Sequence, residues 1–136
     1  MIVVDTNVLA YLYFPGVRNK IIEELQLKSP TWIAPILWKS EFRNVASLYY
    51  RKGLVTFEGV IEALDKAEEL MSGYEEEVSS KDVFAMVRSS KCSSYDCEFI
   101  AMANNLRLPL ITYDKLILQE YPDIALTPEV YLQSFK

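Results

Sequence analysis

Apolar and polar positions follow two different periods along this chain. Uninterrupted apolar runs occur at Ile2-Val3-Val4, Trp32-Ile33-Ala34 and Leu110-Ile111, with a weaker one at Ile124-Ala125-Leu126. Such runs, rich in β-branched residues, read as strands buried on both faces, as in parallel sheets. Between them, apolar residues recur every three to four positions, which predicts helices. One runs over Val8–Tyr13, with Thr6 or Asn7 placed to cap it, and stops at Pro15-Gly16. Others are expected over Val17–Leu27, over Ile36–Lys52 with Gly53 closing it, and over Thr56–Met71. Shorter ones follow at Ser80–Val87, Ser94–Leu106 and Lys115–Glu120, and the last opens at Thr127-Pro128-Glu129. The stretch 74–79 reads as an exposed edge strand or a loop. Strands alternating with helices point to an α/β fold, a parallel sheet covered on both faces.

Composition narrows the function classes. At 136 residues the chain, 1–136, is expected to form one domain, and 51% hydrophobic content excludes a disordered protein. No apolar run reaches the ~18 residues of a spanning helix and no basic-then-apolar leader is present, so a cytoplasmic protein away from membranes is expected. Cys92 and Cys97 match no zinc spacing and read as reduced, partly buried thiols. There is no histidine, which removes Ser-His and Cys-His mechanisms and histidine-ligated zinc. Acid–base or metal chemistry here must run on carboxylates. A net charge of −5 argues against a broad electrostatic grip on nucleic acid, but not against a nuclease whose acids are neutralised by metal ions.

Most acids look like solvated helix faces, among them Glu58, Glu62, Asp65, Glu68 and Glu69 in the fourth helix. Four others stand apart. Asp5 and Asp114 end predicted strands, where ligands of open α/β sheets bind. Glu41 lies on the stripe of Leu37, Val45 and Leu48 that is expected to face inward, and Asn44 shares it. A carboxylate there is costly without a partner. Asp96 precedes Phe99, Ile100, Ala103 and Leu106, the expected inner face of its helix, and points inward from the first turn. Each has an ordinary alternative: a cap or turn for Asp5 and Asp114, an ion pair for Glu41, a cap for Asp96. Together they would repel unless a hard cation such as Mg²⁺ or Mn²⁺ joined them. Phosphodiester hydrolysis suits such a site, and Thr6, Asn7 and Thr112 are close enough in sequence to orient the acids.

The segments around these acids resemble a known family. Val3-Val4-Asp5-Thr6-Asn7-Val8-Leu9, Ser40-Glu41-Phe42-Arg43-Asn44-Val45, Tyr95-Asp96 leading to Ala101-Met102-Ala103, and Leu110-Ile111-Thr112-Tyr113-Asp114 look like the four acidic motifs of the PIN domain. The resemblance implies a three-layer, Rossmann-like α/β fold with a central parallel sheet flanked by helices. It also implies an endoribonuclease that hydrolyses single-stranded RNA with Mg²⁺ or Mn²⁺, its metal ions carried by Asp5, Glu41, Asp96 and Asp114. In size the chain is similar to the VapC-type toxins of toxin–antitoxin systems, which implies a homodimer and an antitoxin whose tail occupies the active-site groove.

Two other classes fit the same residues: a PIN-like module that binds RNA or protein without cutting, and a DNA-directed metal phosphoesterase. Lys39, Arg43, Arg51, Lys52 and Lys115 are the cations nearest the motifs and the candidates for phosphate contacts. The helices over 17–27 and 56–71 carry enough apolar residues for a dimer interface. Tyr11, Tyr13, Phe14, Tyr49 and Tyr50 are expected either to line that interface or to join the core.

Overall fold

In the computed structural model, which describes residues 1–136, the apolar runs become five strands. They are β1 (Ile2–Val4), β2 (Trp32–Pro35), β3 (Glu75–Glu76), β4 (Leu110–Ile111) and β5 (Ala125–Leu126). They form one all-parallel sheet in the order β3-β2-β1-β4-β5. Ile2 lies beside Trp32 on one side, and Val3 lies beside Leu110 on the other. Every residue of β1, β2 and β4 is buried, as strands sandwiched between helices require.

Eight helices connect and cover the sheet: α1 (Thr6–Tyr13), α2 (Asn19–Lys28), α3 (Trp38–Arg51), α4 (Phe57–Met71), α5 (Ser80–Arg88), α6 (Ser94–Leu106), α7 (Lys115–Glu120) and α8 (Pro128–Gln133). The strand order dictates the layers. From β1 the chain steps outward to β2 and then β3, and then returns across the sheet to β4. Right-handed crossovers therefore place α1–α4 on one face and α5–α6 on the other. The packing agrees: α6 lies against β1, β2 and β4 with α5 beside it, while α1 packs on α2, α3 and α4. The order reverses between β1 and β4, so the crevice beyond their carboxyl ends is the switch point of the sheet. Asp5 and Asp114 follow those two strands.

Several helices turn differently from the way the periodicity suggests. In α3 the buried residues are Trp38, Phe42 and Ala46, not Leu37, Val45 and Leu48; Leu48 is exposed. Phe42 sets this rotation by packing its ring on Tyr13, Phe14 and Trp38. In α4 the periodicity places Val60, Ile61, Leu64, Ala67 and Leu70 inward; Ala67 is buried and Val60, Leu64 and Leu70 pack against the core, but the fully buried line is Ala63, Ala67 and Met71, and Ile61 is exposed. Small residues win that face because α1 and α3 approach it closely. Leu106 is exposed because α6 ends there, at Arg107 in the left-handed conformation (φ 55°).

The second helix begins at Asn19, and Val17 and Leu27 face solvent. Asn19 fixes the preceding turn: its amide donates to the Tyr11 and Phe14 carbonyls, and its oxygen accepts from Gly16 N. Of the five aromatics expected at an interface or in the core, Phe14 is buried with Tyr49 stacked on it, and Tyr50 is exposed. Cys92 and Cys97 are buried free thiols. No helix is long and apolar enough to cross a membrane.

Candidate active site

The crevice at the switch point is a cleft of about 400 Å³. Asp5, Glu41, Asp96 and Asp114 all line it. Four different elements deliver them. Asp5 leaves β1 and is itself the N-cap of α1, its Oδ1 accepting from Thr6 N at 2.8 Å. The cap is thus Asp5, not Thr6 or Asn7, because the helix starts one residue after the strand. Asp114 leaves β4 and caps α7, accepting from Ile117 N at 2.9 Å. Asp96 sits in the first turn of α6, whose cap is Ser93. Glu41 sits in the first turn of α3, one turn after Trp38, whose indole donates to Glu75 of β3 at 2.6 Å. That bond anchors the start of α3 to the sheet edge and so fixes where Glu41 emerges.

Two threonines connect three of the acids. Thr112 Oγ donates to Asp5 Oδ2 at 2.6 Å and accepts from Asp114 N at 2.9 Å. Thr6 Oγ donates to Glu41 Oε1 at 2.8 Å, while its N–H holds Asp5. Asn7 lines the cleft as well. On the α3 side the wall is Leu37, Ser40, Asn44 and Val45; on the α6 side Tyr95 stands beside Asp96. The apolar stripe that carries Glu41 therefore lies where the core meets the cleft, with Leu37 and Val45 packed against the core and lining the cleft as well. This explains how a carboxylate and an amide are tolerated on it.

The electrostatics are one-sided. Burial pushes the Asp5 carboxyl up to about 6 against its two hydrogen bonds, with Glu41 and Asp114 adding repulsion. Asp96 is also pushed up to about 6, first by burial and then by Asp5 and Asp114. Glu41 is raised by burial, against its bond from Thr6, and by Asp96. None of the four pairs with a cation: the chain's ion pairs are Lys39–Glu68 and Lys66–Glu62. Neither Lys39 nor Arg43, Arg51, Lys52 or Lys115 lines the cleft.

A family model described as the PIN domain matches residues 2–122. The chain belongs to the PIN domain family. PIN domains are generally nucleases. The crystal structure of FitAcB from Neisseria gonorrhoeae matches this PIN domain with a TM-score of 0.71 at 19% identity, covering 95% of this chain and 99% of the other. A toxin–antitoxin complex from Klebsiella pneumoniae gives a TM-score of 0.62 at 17% identity, covering 94% and 98%. FitAB bound to an IR36 DNA fragment gives 0.70 at 17%, covering 94% and 95%. At these identities the likeness establishes the fold. Sequence comparison with curated proteins returns no match.

The acid set of this PIN domain fits a hard divalent cation by donor chemistry: oxygen donors, mutually repelling and without a cation of the protein's own. No three of the acids stand close enough to hold one ion between them as they are placed. The sequence alone gives no role to Tyr95, or to the bond from Trp38 to Glu75. The first is an exposed ring beside a motif acid, which the motif itself signals; the second joins residues 37 apart, which no local pattern reveals.

Proposed function

We propose that this PIN domain is a Mg²⁺- or Mn²⁺-dependent endoribonuclease that hydrolyses single-stranded RNA, and that it is the toxin of a toxin–antitoxin pair. The observation that carries this reading is the meeting of four acids in one cleft with no protein cation to balance them. Asp5, Glu41, Asp96 and Asp114 would hold the metal. When bound there, a divalent ion lowers the pKa of a water in its shell and screens the charge of the phosphate.

The chain's own residues do the positioning. Thr112 and the Thr6 N–H fix both oxygens of Asp5, leaving the carboxylate one orientation. Thr6 Oγ turns Glu41 toward the same cleft. Thr112 ties the Asp114 backbone to Asp5, so the ends of β1 and β4 move as one unit.

The toxin assignment is supported by the fold shared with the Klebsiella toxin–antitoxin complex. It brings with it an antitoxin partner, a cytoplasmic location and a homodimer. Leu48, Tyr50, Leu54, Phe57 and Ile61, exposed around the join of α3 and α4, offer apolar surface for that dimer. The test is cleavage of single-stranded RNA, alongside DNA of the same sequence, with Mg²⁺, with Mn²⁺ and with EDTA. Cleavage of RNA that needs the ion and is lost in Asp5→Asn, with the circular dichroism spectrum unchanged, is the expected result. Full activity in Asp5→Asn would sink the assignment.

A further inference from the structure

A substrate phosphate entering this cleft meets four carboxylates and not one lysine or arginine. The chain as a whole carries a charge of −5. Within the cleft, the contacts that the side chains other than the acids can offer a nucleotide are uncharged. Asn7, Ser40 and Asn44 offer neutral hydrogen-bonding groups in the cleft, and its one aromatic ring is that of Tyr95. Tyr95, in the first turn of α6, is 60% exposed and lines the cleft next to Asp96.

Seven of the nine tyrosines have side-chain partners, as when Tyr113 donates to Glu129, Tyr121 donates to the Met86 carbonyl and Tyr49 stacks on Phe14; Tyr74, which has none, lies away from the acid cleft. Tyr95 has neither a hydrogen bond nor a ring partner. Its ring is left exposed beside the cleft, free to receive a planar or apolar group. The α3 wall of the same cleft adds Leu37 and Val45, apolar surfaces suited to the second face of a base. At about 400 Å³ the space is that of a small-ligand site, for which clefts of roughly 300–1,000 Å³ are usual.

We propose that Tyr95 is the stacking platform for the base flanking the cleaved phosphate and the residue that makes the site select unpaired RNA. The role rests on the ribonuclease reading above. Base–aromatic stacking tolerates any sequence but requires a base free of its neighbours, and a base in a duplex is already stacked and paired. The ring thus admits single strands and gives duplex nothing to bind.

The experiment compares wild type, Tyr95→Ala and Tyr95→Phe on a short RNA containing a step that wild type cleaves, single-stranded and annealed to its complement, with Mg²⁺. Tyr95→Ala should lower kcat/KM on the single strand by roughly 5- to 100-fold, the range of one lost base stack, mainly through KM. Its preference for single strand over duplex should shrink, whereas Tyr95→Phe keeps both values near wild type. An abasic site beside the cleaved bond should slow wild type by a comparable factor and leave Tyr95→Ala unaffected. Wild-type kinetics in Tyr95→Ala, equal loss in Tyr95→Phe, or an abasic loss that adds to the alanine loss each overturns the stacking role while leaving the nuclease intact. A wild type that cleaves no RNA overturns the ribonuclease reading itself, and the role of Tyr95 with it.

Discussion

Asp5 shows how much of the site is held against the stability of the fold. Its carboxyl is nearly buried, and desolvation outweighs the bonds from Thr112 and Thr6, so its pKa stands at about 6. A carboxyl whose folded pKa lies above its unfolded value binds its proton more tightly when folded. Below about pH 4 both states are protonated and the group contributes nothing. Between about 4 and 6 the unfolded state has released the proton while the folded state keeps it, so stability falls as pH rises. Above 6 the penalty is complete. Asp96 acts in the same window and direction. Asp5→Asn keeps the shape and removes the charge. In metal-free buffer at pH 8 it should raise stability by on the order of 1–2 kcal/mol, visible as several degrees in Tm. At pH 4 that gain should vanish. A lower Tm at pH 8 would mean that relief of the buried charge does not outweigh the one accepting oxygen that asparagine lacks.

Elements were easier to read from the sequence than their rotations. Buried strands announce themselves as apolar runs, and the proline and glycine stops bound most helices. Which face a helix buries depends on its neighbours, and there the local pattern misled. In α3, Leu37, Glu41 and Val45 share a stripe, but the ring cluster of Trp38, Phe42, Phe14 and Tyr13 claims the centre of the core and leaves that stripe at its edge, bordering the cleft. An acid among apolar residues is anomalous, and at Glu41 the anomaly marks the point where that stripe meets the cleft. Asp5 and Asp114 were legible from their places after strands, while the threonine links between them depend on a contact across 107 residues. In α4 the core side is alanine. Ala67→Leu, at a fully buried position, should destabilise by roughly 1–3 kcal/mol through overpacking. Ile61→Ala, at an exposed one, should stay within about 0.5 kcal/mol. Urea denaturation of both checks this rotation, and the reverse order would contradict it.

At the scale of the whole molecule, an acidic chain concentrates its strained acids at the switch point of a parallel sheet and leaves them without a protein cation. If the proposed divalent cation binds there, the fold should gain stability from it. A ligand that binds only the native state stabilises by mass action, about 2.7 kcal/mol at a hundredfold excess over its Kd. Protons would compete for the same oxygens, and with Asp5 and Asp96 raised to about 6 that competition is stronger at pH 5 than at pH 8. Mg²⁺ or Mn²⁺ should then raise the wild-type Tm at pH 8, against KCl of matched ionic strength, and raise it far less at pH 5. Asp5→Asn should start from a higher metal-free Tm at pH 8 and respond weakly to the ion. An equal rise at both pH values, or an undiminished rise in Asp5→Asn, would place the ion away from this cleft.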